Sequence, residues 1–161
     1  MKYFTIKEMC TSGSHPKLAE IPAAGTPIYN NLVKLINTVL DPIREKLGQP
    51  VTVSSGYRPL ALNNAVGGSK TSAHLKGLAA DIHTGNNTSD NLKIVNVIFN
   101  LDLDFDQIII EYPTFNAKGE IIAAKWIHVG LSSINNRKQL LYYHNNKYSV
   151  AKKSTNYIYS R

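Results

Sequence analysis

Between residues 27 and 47 the apolar positions Leu32, Leu35, Ile36, Val39, Leu40, Ile43 and Leu47 recur every three or four residues, the spacing that lays one apolar stripe along a helix. Gly48 follows directly and supplies a residue that ends helices. Pro42 falls inside the pattern; without an N–H it either kinks the helix or opens a second piece capped by Asp41. This stripe predicts the central helix of the core. Over 90–101, Leu92, Ile94, Val95, Val97 and Ile98 predict a second helix with Ser89 or Asp90 as its cap. Near the start, Thr5 and Glu8 have the capping-box spacing of a short helix.

Strand patterns lie between and after these helices. Val51-Thr52-Val53-Ser54-Ser55 is a short β-branched run stopped by Gly56, with Tyr57 and Arg58 at its exit. Residues 63–77, with Gly67-Gly68 and several Ser and Thr, read as loop. An apolar run at 78–82 with Asp81 embedded in it predicts a second strand, 105–112 a third ended by Pro113, and 120–129 a fourth. Asn116-Ala117-Lys118-Gly119 supplies turn chemistry between the last two. A tight hairpin centred between Ala117 and Lys118 would set Gln107 opposite His128, leaving Glu111 roughly 13 Å further along at about 3.3 Å per residue. Beyond Ser132 no periodicity assigns an element. There is no internal repeat and no linker, so 1–161 reads as a single domain, its motifs confined to about 4–130 and 131–161 forming a basic C-terminal extension.

Composition narrows the class. At 161 residues, with 43% apolar and 18% charged positions, the chain has the material for one buried core and not the make-up of a disordered segment. No run of apolar residues is long enough for a membrane span, and charge interrupts the N-terminal apolar stretch, so no signal peptide is expected. A single cysteine, Cys10, forbids an internal disulfide and reads as a buried hydrophobe. The net charge of +7 favours an anionic partner such as nucleic acid, a membrane surface or the acidic polymers of a bacterial wall. The basic residues are scattered, without interleaved stacking aromatics or a recognition-helix pattern, so nucleic acid is not expected.

The chemistry concentrates in Ser72-Ala73-His74-Leu75-Lys76-Gly77-Leu78-Ala79-Ala80-Asp81-Ile82 and in Trp126-Ile127-His128-Val129-Gly130. Two imidazoles and a carboxylate suit zinc, which keeps a fourth place open when three protein ligands hold it. Gly77 lets the backbone turn between His74 and Asp81, and period two puts Trp126, His128 and Gly130 on one strand face. The spacing is not the His-x3-His helical pattern, and many chains carry such residues without binding metal. On residues alone, both readings stand.

Several separated motifs in one order go further: Ser54-Ser55-Gly56-Tyr57-Arg58, then Val66-Gly67-Gly68-Ser69-Lys70-Thr71-Ser72-Ala73-His74-Leu75-Lys76-Gly77 running into Ala80-Asp81-Ile82, then Phe105-Asp106-Gln107-Ile108-Ile109 with Glu111, then Trp126-Ile127-His128-Val129. With these the chain resembles the D-alanyl-D-alanine carboxypeptidase-like zinc peptidases of the M15 family, in particular its compact phage and prophage subgroup. The resemblance implies an α+β fold shared with the Hedgehog signalling domain, a small antiparallel sheet with helices packed on it. It implies one zinc ion held by His74, Asp81 and His128, and stem peptides of peptidoglycan as substrate, cut in the manner of an endolysin or a wall-remodelling carboxypeptidase. Synthesis would be cytoplasmic, with action at the wall after phage-type release, and the protein is expected as a monomer.

Larger family members carry Asp or Glu three residues before the last histidine; here that place is Lys125, whose ammonium accepts no proton. Glu111, closing an apolar strand on the face of Gln107 and Ile109, is the better candidate base than Glu120 in the turn. Arg58 is the candidate cation for the oxyanion, a fork of fixed donors. Ser72, Gln107 and Trp126 are candidate substrate contacts, and Ser72 reads equally as a cap of its loop. His83 shares a strand face with Asp81 and reads first as a partly exposed polar residue; His15 and His144 have no assigned role. The competing class is a binding module that keeps the zinc scaffold without hydrolysis.

Overall fold

The computed structural model describes residues 1–85, 87–154 and 158–160. The N-terminal helix α1 (Ile6–Met9) starts with the expected capping box: the Glu8 amide donates to the Thr5 hydroxyl while the Glu8 carboxylate accepts from the Thr5 amide. The long stripe forms α2 (Pro27–Leu35), a wider π-helical turn (Ile36–Leu40) and α3 (Asp41–Leu47) in uninterrupted succession, closed by Gly48 at φ 64°. Pro42 therefore does not end the helix. The π turn just before it absorbs the missing N–H and the bulk of the ring. Asp41 is no cap; its carboxylate accepts the backbone amides of Lys2 (2.5 Å) and Tyr3 (2.9 Å), tying the N-terminal segment to α3.

Strand β1 (Thr52–Ser55) is followed by α4 (Leu60–Ala65), which runs into the 63–77 segment that composition reads as loop, and by a 3-10 turn (Ala73–Lys76) inside that segment. Then come β2 (Ala79–His83), α5 (Asn91–Asn100) and β3 (Gln107–Glu111). The run at 120–129 is two strands rather than one. A short hairpin of β4 (Thr114–Phe115) and β5 (Glu120–Ala123) precedes β6 (Trp126–Gly130). The C-terminal region adds β7 (Gln139–His144), β8 (Lys147–Lys153) and β9 (Ile158–Ser160).

The α+β class stands, but the sheet is large: among the described residues it has nine strands in the order β1-β2-β6-β3-β7-β8-β9-β5-β4. The pairings are antiparallel except for β3 with β7, which run parallel. Period two sorts the central strands. Ala80 and Ile82 of β2, Ile108 and Ile110 of β3, and Ile127 and Val129 of β6 are buried against Leu35, Ile36, Val39, Leu40 and Ile43 of the long helix and Ile94, Val95 and Ile98 of α5. The opposite face carries Asp81, Gln107, Ile109, Glu111, Trp126 and His128.

The register of β3 against β6 departs from the tight-hairpin expectation. Ile109, not Gln107, is opposite His128, and Glu111 is opposite Trp126. Two local features move the pairing. The turn closes with the Asn116 amide donating to Glu120 O, with Gly119 at φ 75°, and a bulge interrupts β4–β5 between Thr114 and Phe115. Each adds one residue on the β5 side. Glu111 thus becomes a diagonal neighbour of His128, about 7–8 Å away between backbones and within reach of a long side chain.

Candidate metal centre

Asp81 and His128 are directly opposite each other on β2 and β6, so the sheet itself brings carboxylate and imidazole together. His74 arrives from the 3-10 turn before β2. That turn is capped by the Ser72 hydroxyl, which accepts the His74 amide (3.3 Å), and ends at Gly77 with φ 67°. Gly77 is also pressed against α2, where a Cβ would meet Ile28 O at 2.9 Å, so no larger residue fits that turn.

The motif around Gly56 is explained by contacts on both sides of the chain. A Cβ there would lie 2.3 Å from Met9 O, and the Tyr57 amide donates to that same oxygen (2.7 Å). Held against α1, Gly56 turns its carbonyl to His74, whose Nδ1–H donates to it (2.6 Å). The bond fixes the tautomer, leaving Nε2 with its lone pair facing the site. The Arg58 amide donates to His74 O (3.1 Å), anchoring the same turn.

Three donor atoms then converge. Asp81 Oδ1 lies 2.9 Å from His128 Nδ1 and 3.4 Å from His74 Nε2, and the two imidazole nitrogens are 3.2 Å apart. Ligand bonds of about 2.0–2.1 Å in a tetrahedron put neighbouring donors roughly 3.3–3.4 Å apart. The spacing and chemistry of the donor set suit a zinc ion.

Charge in this cluster is tightly held. Burial pushes the His74 imidazole below its ordinary value despite the carboxylate beside it. Burial pushes the Asp81 carboxyl up, but His74 and His128 outweigh it and keep Asp81 ionised well below the usual carboxylate range. Its outer oxygen, Oδ2, accepts from Arg58 Nη2 (2.5 Å), while Arg58 Nε donates to Ser55 Oγ (2.7 Å). The guanidinium is thus already engaged, and it aims the inner carboxylate oxygen at the two histidines. Ser55, which carries this arrangement, was not singled out by the sequence reading; its place in the Ser54-Ser55-Gly56-Tyr57-Arg58 motif was the available signal.

A cleft of about 1040 Å³ opens over the cluster and is lined by Ser72, Gln107, Glu111 and Trp126 as well as the three donors. The Glu111 carboxyl is pushed up to about 7, first by burial and then by the charge of Asp81, with His128 and Arg58 opposing. Gln107 Nε2 donates to Gln139 Oε1 (2.9 Å) at the other end of the strand. The other candidates fall elsewhere. Lys125 sends its ammonium over the Tyr112 and Trp126 rings (5.5 and 5.6 Å). His83 Nδ1 accepts the Gly85 amide, Glu120 binds Asn116, His15 meets Ser14, and the His144 ring packs on Phe115. Among the described residues, His74, Asp81 and His128 form the one group of three or more His, Cys, Asp or Glu side chains whose donor atoms converge for a metal.

Fold and cluster together define a candidate metal centre at the base of a cleft. The sequence model of the Peptidase M15 family matches residues 2–129, and the chain belongs to that family, whose members are zinc peptidases. Comparison with curated proteins finds no match. None of the helices among the described residues is long and apolar enough to cross a membrane.

Proposed function

We propose that the protein is a zinc-dependent peptidase acting on peptide bonds of bacterial peptidoglycan stem peptides, as a D-Ala-type carboxypeptidase or an endopeptidase of endolysin character. The observation that carries this reading is the convergence of three donors at ligand spacing in a cleft that also holds a carboxyl group raised to about 7.

A zinc ion held by His74, Asp81 and His128 would supply Lewis acidity toward water and the scissile carbonyl. The chain's own residues do the rest. His74 is held in the correct tautomer by Gly56 O, and Asp81 is held ionised and aimed by Arg58. Glu111, set in the cleft beside the cluster, accepts the proton of the attacking water and delivers it to the leaving amine nitrogen. Arg58 serves first as the anchor of Asp81, with its remaining N–H groups toward the cleft as the source of positive charge for the oxyanion. Ser72, Gln107 and Trp126 line the path of the substrate. The net charge of +7 favours approach to an anionic wall.

The test is mass spectrometry of purified stem peptides incubated with the protein, with and without a chelator that is then back-titrated with zinc. A defined mass loss that the chelator abolishes and zinc restores supports the reading and names the bond. No product from zinc-holding protein would favour the binding module instead.

A further inference from the structure

The sheet carries a second chemical feature beside the metal cluster, half of whose rings come from strands that lie beyond residue 129, where the family match ends. Trp126 is opposite Glu111, Glu111 is opposite Tyr143 on β7, and Tyr143 is opposite Tyr148 on β8. Period two puts this whole row on the face that bears Asp81 and His128. Tyr112 joins it by an unusual route. The next residue of a regular strand would point to the helical face, but Tyr112 has φ 51°, a left-handed conformation that bulky side chains rarely adopt. Its ring consequently lies on the site face, 5.1 Å from Trp126 and 5.7 Å from Tyr143, and Tyr143 lies 4.7 Å from Tyr148.

These rings are not filling a core. Tyr112 is 50% and Tyr148 57% exposed, and all four line the same cleft as the metal cluster. Backbone strain that turns an aromatic side chain out to water beside a reactive group marks a binding surface. The row ends in a cation. The Lys125 ammonium sits over Tyr112 and Trp126 and forms no ion pair among the described residues.

We propose that Tyr112, Trp126, Tyr143 and Tyr148 form a substrate subsite on the Glu111 side of the cleft, which takes an acidic peptide segment: the rings receive its apolar stem and Lys125 its carboxylate. Polyanions such as nucleic acid need a run of cations, and this row offers one. An uncharged apolar segment would leave Lys125 unused. The C-terminal strands are therefore part of the recognition surface, and Tyr148 is its outermost specificity-determining residue. The proposal rests on the peptidase reading for the direction of the substrate, but its test reads binding.

The experiment is calorimetric titration of the zinc-loaded protein with two N-acetyl dipeptide hydroxamates that differ only in carrying glutamate or glutamine. Wild type should prefer the glutamate probe by roughly threefold or more, the scale of a partly exposed charge contact. Tyr148→Ala should weaken both probes by about three- to tenfold, Tyr148→Phe should bind as wild type because the ring face does the work, and Lys125→Ala should erase the preference for glutamate. Equal binding of both probes to wild type, or unchanged binding by Tyr148→Ala with its zinc content and circular dichroism intact, would overturn the subsite. If the hydroxamates follow the expected pattern while stem peptides stay uncut, the stem-peptide reading fails and the subsite stands. Protein that takes up no zinc and binds neither probe overturns both.

Discussion

Asp81 is placed between opposing demands: burial disfavours its charge, while two imidazoles and a guanidinium require it. Removing Arg58 leaves that carboxylate with one oxygen unpaired in a buried site. Arg58→Ala should therefore cost about 2–4 kcal/mol of stability in urea unfolding of the metal-free protein, and metal retention should weaken with it. Glu111 offers a separate handle. Glu111→Gln should lower kcat by about 10²–10⁴-fold while zinc content, measured by atomic absorption, stays at wild-type level.

The same substitution has a pH signature in metal-free protein. Glu111 is an acid whose pKa rises on folding, from 4.5 to about 7. Its favourable contribution is complete below 4.5 and is lost as pH climbs through 7. Wild type should thus lose stability between pH 5 and 8 relative to Glu111→Gln, by about 1–2 kcal/mol once solvent screening of this partly buried group is counted. Thermal melts of the pair across that range read it directly. Unchanged relative stability would mean that Glu111 is not desolvated as described.

At the scale of elements, two polar side chains act as fasteners. Asn91, fully buried at the start of α5, accepts from the Thr84 amide and hydroxyl and donates to Ala124 O and Lys125 O. It joins the exit of β2, which carries Asp81, to the junction of β5 with β6, which carries His128. Asn91→Ala should destabilise by about 2–4 kcal/mol, and denaturant midpoints will show it. Asp106 fastens β3 to the parallel strand β7 through a two-pronged contact with Arg137 (2.7 and 2.6 Å). Arg137's hydrogen bonds hold the Asp106 carboxyl below its ordinary value. The stabilisation is present above about pH 4 and disappears as acid protonates Asp106. Arg137→Ala should accordingly raise the pH at which acid unfolding begins.

Long patterns and close motifs were legible in the chain: the helix stripe at 27–47, α5, the central strands, and the grouping of His74, Asp81 and His128. What escaped had physical reasons. Helix α4 is one short turn and a half whose buried residues are only Leu62 and Asn63, too few to show a period. The β3–β6 register depends on a bulge and on the closure of one turn, and neither is encoded by hydrophobic alternation. Strands β7 and β8 are for the most part only partly buried or exposed, so their alternation is diluted by Gln, Lys, Ser and Tyr. The ring row could not be read because it joins residues far apart in sequence through that register.

At the scale of the whole molecule, the net positive charge is weighted to residues 131–161, which hold six Lys and Arg and no Asp or Glu. Binding to purified walls should therefore respond to salt as a diffuse attraction does. Sedimentation with wall fragments should fall steadily as ionic strength rises from about 0.05 to 0.5 M. Salt-insensitive sedimentation would shift the attraction to the cleft itself.

The parallel pairing of β3 with β7 also sets an order of events during synthesis. β3 acquires its first neighbour, β6, when residue 130 is available, but its other edge waits for residues 139–144. Until then a strand of three consecutive isoleucines, Ile108-Ile109-Ile110, keeps an unpaired backbone edge next to the assembling centre. Such edges invite association with other chains. A nascent chain stalled or cleaved ahead of β7 is thus a species for chaperones and proteases.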